Sequence, residues 1–161
     1  GPGNYNPIER WFFDRVKNDL PIPLPDNGQT ITQLGHVQDL AKAISISLNS
    51  SIAINKIYNC SGDKAITILG LIKLVAKICD KNMDLIKLNS FDSSNIDGKA
   101  RKLFPIRLNH FITDISLIKS DLKWRPKYDL LSGLRDSYLN DYLKNINNNR
   151  VDCSDDRKLF C

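Results

Sequence analysis

Prolines at alternate positions, Pro21, Pro23 and Pro25, followed directly by Asp26-Asn27-Gly28, divide the early part of the chain in two. Proline lacks a backbone N–H and its ring collides with the preceding helical turn, so no helix runs through this stretch. Asp and Asn bond to their own backbone and Gly tolerates positive φ, which makes the triplet turn chemistry. A helix is therefore expected before the prolines and a new element after Gly28. Asn6-Pro7-Ile8-Glu9 reads as the start of that helix, with Asn as N-cap, Pro at the first helical position and Glu reaching back as in a capping box. Ile8, Trp11, Phe12 and Val16 then share a face. Thr30 to Leu34 suits a short strand entering a second helix at His36, with Val37, Leu40, Ala41, Ile44 and Leu48 as its buried stripe.

Beyond this, Lys56 to Cys60 reads as a compact strand, Ser61-Gly62-Asp63 as a turn, and Thr67 as the cap of a helix whose apolar positions include Ile68, Leu71, Ile72, Val75, Ile78 and Cys79. Asp84 to Leu88 predicts a strand, Asp92 to Leu103 a weak basic helix or loop, and Phe104-Pro105 a break. Asp114 caps a short helix ending before Trp124-Arg125-Pro126, and Asp129 opens the last strong helix, with Leu131, Leu134, Tyr138 and Tyr142 at helical spacing. Residues 1–144 form the expected domain and 145–161 a disordered polar tail. Short strands between about five helices make the fold class α/β with a small mixed sheet. There are too few strands for a complete doubly wound sheet with its own phosphate-binding turn.

The chain has 161 residues, of which 42% are hydrophobic and 25% charged, a balance that excludes a disordered or collagen-like polymer. Its longest apolar runs, such as Ile68 to Val75, fall far short of the roughly 20 residues a bilayer span needs, so no membrane partner is expected. A formal charge of +5 favours polyanions without requiring them. The four cysteines, Cys60, Cys79, Cys153 and Cys161, are scattered, with no C-x-x-C pair, which points to a reducing compartment. The chain starts Gly1-Pro2-Gly3 without an initiator Met, as expected of a processed or truncated start.

Gly1-Pro2-Gly3-Asn4-Tyr5-Asn6 lacks the third glycine of a dinucleotide fingerprint and reads as a turn. No tyrosine is followed four residues later by lysine, the general-base pair of many nicotinamide enzymes. No catalytic residue and no metal site are assigned, and His36 and His110 are expected to act as a helix cap or a buried hydrogen-bonder. Cations gather in Lys99, Arg101, Lys102 and Arg107, and again in Lys119, Lys123, Arg125 and Lys127, with Phe104, Phe111 and Trp124 interleaved. Such a pattern grips phosphates and offers rings for base stacking; a solvated surface over core aromatics has the same spacing. Arg107, following Phe104-Pro105 in an apolar context, is a candidate phosphate clamp. The consecutive aromatics Trp11, Phe12 and Phe13 are too wide for one narrow stripe, which makes them candidates for contact with a partner protein or a further domain.

Several segments, in order, resemble the C-terminal half of the extended short-chain dehydrogenase/reductases, the NAD-dependent epimerase/dehydratase family. They are Gly1-Pro2-Gly3, Asp26-Asn27-Gly28, His36-Val37-Gln38-Asp39-Leu40-Ala41, Ile57-Tyr58-Asn59-Cys60-Ser61-Gly62, Pro105-Ile106-Arg107 and Leu122-Lys123-Trp124-Arg125-Pro126. The resemblance implies the C-terminal, substrate-domain part of a reductase-like Rossmann fold, incomplete without its N-terminal half. It implies no cofactor in this chain, with NAD(P) or a divalent metal in the intact parent, and substrate or phosphate binding by Arg107, Asn59, Ser61 and Gly62. Two departures stand out: Thr32-Gln33-Leu34 where the sugar-nucleotide enzymes carry Arg-Asp-Phe, and Asn109-His110 where they carry Gly-Asp.

The stretches GPGNYNPIERWFFDR, ITQLGHVQDLAKA, IYNCSGD, FPIRLNHF and WRPKYDLLSGLRDSYLNDY are similar instead to the chloroplast stem-loop-binding proteins, an atypical reductase-fold branch that binds RNA and in some members cuts it. This implies structured RNA as partner, with Lys99, Arg101, Lys102, Lys123, Arg125 and Lys127 as nucleic-acid contacts. It also implies a plastid or cyanobacterial-cytoplasmic location, a role in transcript stability, endonucleolytic activity in the intact protein, and homo- or hetero-oligomers through the reductase-like fold. The alternative is the substrate-binding lid of a nucleotide-sugar epimerase or dehydratase.

Overall fold

The computed structural model describes residues 1–6, 8–146 and 151–160. Helix α1 spans Ile8–Lys17 and buries Phe12, Phe13 and Val16. Pro7, the expected first helical residue, lies outside the described residues. The Glu9 carboxylate closes no capping box; it accepts from the Asn4 side-chain amide at 2.8 Å and from the Gly1 nitrogen at 3.1 Å. All three aromatics of α1 find partners within this chain. Trp11 and Phe12 meet Phe104 edge-on, and Phe13 packs against Tyr138 and Tyr142, with ring centroids 5.1 and 5.3 Å away.

The proline stretch, expected only to interrupt, is itself a buried strand, β1, Ile22–Pro25. It pairs in parallel with β4, Leu88–Phe91. Alternation explains how a proline-rich strand pairs at all. Successive residues of a strand turn their N–H groups to opposite edges, so Ile22 and Asp26 donate to the carbonyls of Lys87 and Phe91, while the missing donors of Pro21, Pro23 and Pro25 fall on the unpaired edge. The strand expected at Asp84–Leu88 is correspondingly displaced: Met83–Leu85 is a single 3-10 turn, and pairing begins at Leu88.

A second pair, antiparallel, joins β2 (Ile31–Gln33) to β3 (Ala65–Thr67), so the strands form two separate two-stranded sheets rather than one. Helix α3, Ile68–Ile78, follows β3 without a loop, its Thr67 hydroxyl accepting from the Gly70 N–H at 3.0 Å, and buries Ile68, Leu71, Ile72, Val75 and Ala76. With α1, β1 and Phe91 these form the main core. Helices α4 (Ser116–Leu122) and α5 (Leu130–Ser137) complete the α-helices among the described residues, and α5 has the expected Asp129 N-cap, boxed with Ser132.

Helix α2, Val37–Leu48, forms where expected but with its faces reversed. Asp39 and Ala43 are its buried residues, whereas Val37, Leu40, Ile44 and Leu48 are exposed, Leu48 to 81%. The cause lies in what α2 docks on. Trp124, buried in a smaller core with Ile115, Ile118 and Leu122, donates its indole N–H to the Asp39 carbonyl at 3.0 Å, and the side of α2 that carries Asp39, Ala43 and Ile46 packs on this core. Lys56–Cys60 is extended, but no strand is assigned to it among the described residues, and Ile57 is 91% exposed. In the stretch read as a polar tail, Ser154–Leu159 makes 3-10 turns that place Leu159 in the main core, and Arg15 pairs with Asp156 at 2.7 Å. A single leucine 13 residues past Ile146 carries no periodicity to announce it.

Candidate nucleic-acid interface

Strand β2 is the frame of the first basic stretch. The Ile31 carbonyl accepts from the Phe111 N–H at 2.9 Å, the Ile31 N–H donates to His110 Nδ1 at 3.0 Å, and the Thr30 hydroxyl donates to the Leu108 carbonyl at 3.3 Å. Two residues beyond Ile31, the Gln33 carboxamide oxygen accepts from the Thr113 N–H at 2.7 Å, while its Nε2 donates to the Gly62 carbonyl at 2.6 Å. The loop from Phe104 to Thr113 is thereby laced to a strand, with Phe104, Ile106 and Leu108 buried and Arg107 turned outward. The Arg107 guanidinium lies over the Phe111 ring, 4.2 Å from its centroid. Arg101 and Arg107 line one groove of about 410 Å³ together with His110 and Phe111. Lys99 and Lys102 flank it in sequence and are exposed. Phe111, one of the rings interleaved with the cations, belongs to this group, and so does His110, for which the sequence signal is the departure Asn109-His110.

The second basic stretch is partly engaged within the fold, although Lys123, Arg125 and Lys127 are exposed and form no ion pair among the described residues. Arg125 Nη1 donates to the Lys119 and Trp124 carbonyls at 2.9 and 2.8 Å, closing the end of α4, and Lys119 forms an ion pair with Asp63. Lys123 is the left-handed residue after α4, with φ 53°. The Lys127 N–H and Tyr128 N–H both donate to the buried Asp39 carboxylate, at 2.8 and 3.1 Å. Asp121, at the end of α4, is held below the ordinary carboxylate range chiefly by its hydrogen bond from Lys56.

The residues Asn59, Ser61 and Gly62 do not join Arg107. The Asn59 amide donates to the Asp114 carbonyl, and Ser61 lines a different cavity, beside Gly35, His36 and Val37. Gly62 is required by close approach: a Cβ there would lie 2.4 Å from the Leu34 carbonyl oxygen, to which its own N–H donates. His36 caps α2 by accepting from the Gln38 N–H, stacks on Tyr128 at 3.7 Å between ring centroids, and meets Asp136 through Nε2 at 3.1 Å, so both ring nitrogens are engaged.

Burial pushes the thiols of Cys60, Cys79 and Cys153 above their ordinary value, which keeps them protonated and poorly nucleophilic. Among the described residues, no group of three or more His, Cys, Asp or Glu is placed to hold a metal ion. Nor, among the described residues, does a glycine-rich turn lead from either strand of the parallel pair into a helix, so these residues do not fit a dinucleotide diphosphate. No helix among them is long and apolar enough to cross a membrane.

No protein-family model matches the sequence. The chain is 42% identical over 142 residues to the chloroplast stem-loop binding protein of 41 kDa b of Arabidopsis thaliana, a chloroplastic protein; the match covers 88% of this chain and 37% of that protein. Its fold is similar to dTDP-glucose 4,6-dehydratase of Bacillus anthracis, solved with NAD, at TM-score 0.69 and 19% identity over 90% of this chain and 42% of that one. It is likewise similar to UDP-glucuronic acid 4-epimerase of Bacillus cereus, at TM-score 0.67 and 19% identity over 86% of this chain and 40% of the enzyme. The chain therefore spans well under half the length of the proteins it matches. With the two departures in β2 and after Arg107 built into one laced surface, it is a homologue of the chloroplast stem-loop binding protein on part of an NAD-dependent epimerase/dehydratase fold.

Proposed function

We propose that this chain is an RNA-binding portion of a plastid protein that acts in transcript stability, with the first basic stretch as its contact surface. The observation that carries the reading is the 42% identity to a stem-loop binding protein, maintained across 88% of the chain. The unpaired cations around the Arg107 loop agree with it, since none of Lys99, Arg101, Lys102 and Arg107 forms an ion pair among the described residues. Cations of this kind bind phosphates by releasing counterions, which makes affinity fall steeply with salt.

Anisotropy titration of a labelled stem-loop RNA with this chain at rising salt tests the reading. Binding whose log affinity falls linearly with log salt is the expected result, and absence of binding at low salt overturns it. A second reading, the substrate lid of a nucleotide-sugar enzyme, is favoured by the fold shared with dTDP-glucose 4,6-dehydratase and UDP-glucuronic acid 4-epimerase. Heat of binding with a nucleotide sugar, and none with RNA, would select it.

A further inference from the structure

We propose that Arg101, Arg107, His110 and Phe111 form a pocket for one nucleotide of single-stranded RNA, the cations and His110 holding its phosphate and the Arg107–Phe111 stack its base. The inference rests on the RNA reading above and assigns the place and the form of RNA recognised. The groove these residues line, about 410 Å³, lies within the usual size of small-ligand pockets, and no carboxylate lines it. A phosphate entering it meets two guanidinium groups that have no ion-pair partner among the described residues.

His110 adds a donor whose tautomer the fold selects. Its Nδ1 accepts the Ile31 N–H at 3.0 Å, so the neutral ring carries its proton on Nε2 and offers N–H to an anion. An aspartate at this position would repel the same phosphate. The stack supplies the second half of recognition: Phe111 is half-buried and covered by the Arg107 guanidinium at 4.2 Å, and Arg107 itself is exposed, leaving a flat cationic plane for a base. Bases in a duplex are already stacked on one another, so a flat plane of this kind suits an unpaired nucleotide in a loop or end. The hydrogen bonds of Phe111 and His110 to Ile31 hold the pocket before RNA arrives.

The test uses the 161-residue chain and two labelled probes of equal length, a ten-nucleotide oligouridylate and a blunt RNA duplex. Wild type is expected to prefer the oligouridylate, and Arg107→Ala and Phe111→Leu each to weaken it by about tenfold while changing duplex binding little. His110→Asn, which retains an acceptor for the Ile31 N–H, separates loss of the Nε2 donor from loss of the loop's fold, with thermal melts checking all three variants. Unchanged oligouridylate affinity in folded variants overturns the pocket and leaves the RNA reading standing. Failure of wild type to bind either probe removes both. Displacement of the oligouridylate by uridine diphosphate at equal concentration would assign the pocket to a nucleotide-sugar headgroup and overturn the proposal.

Discussion

The two basic stretches are alike in composition and differ in how they are framed and how much of their charge is engaged. Between Lys99 and Arg107 the cations face solvent or a groove and have no carboxylate partner among the described residues. Between Lys119 and Lys127 the charge is partly engaged: Lys119 pairs with Asp63 and Arg125 donates to two carbonyls at the end of α4, while the Lys123 and Lys127 side chains are exposed and form no ion pair among the described residues. A run of positive charge is thus no interface by itself. What distinguishes an interface is charge left without an internal partner on a backbone held rigid by something else, here β2.

That contrast can be broken at its strongest point first. Asp39→Ala removes a buried carboxylate that accepts two backbone N–H groups from the second stretch, and should cost about 3 kcal/mol in urea unfolding followed by tryptophan fluorescence, without touching the first stretch. Next, Lys99→Glu/Arg101→Glu/Lys102→Glu should lower the slope of log affinity against log salt for single-stranded RNA by about 2, at roughly 0.7 per lost phosphate contact. Lys123→Glu/Lys127→Glu should move that slope by less than half as much. Equal effects from the two sets would erase the distinction between the two stretches. The smallest change is expected from Arg125→Ala, about 0.5–1 kcal/mol of stability for one exposed and one part-buried hydrogen bond, with RNA affinity altered less than twofold. A large loss of affinity in this variant would move the interface to the second stretch.

Legibility in the sequence followed the range of the interactions involved. The caps His36, Thr67 and Asp129 were readable because each acts within three residues of its own position. Strand β1 was not, because prolines exclude a helix by local sterics but permit a strand only when the paired edge needs none of their donors, and that depends on β4, more than 60 residues away. The apolar stripe of α2 is visible in its periodicity, but its exposure is not. Periodicity reports which side of a helix is apolar, whereas burial requires a partner surface, and the one this chain offers α2, around Ile118, Leu122 and Trp124, takes Ala43 and Ile46. Phosphate-binding candidates that the resemblance grouped together, Arg107 with Asn59, Ser61 and Gly62, line different cavities or bond to the backbone.

By itself the sequence determined the alternation of helices with short strands, most helix starts, and the abundance of cations near residues 99–107, since these depend on φ restriction, capping and charge within a few positions. Only the tertiary structure decided which cations remain free, which face of α2 turns inward, and which nitrogen of His110 carries the proton. The reason is sequence distance: the Ile31–His110 bond spans 79 positions and the Trp124–Asp39 bond 85, and neither leaves a local trace in the order of residues.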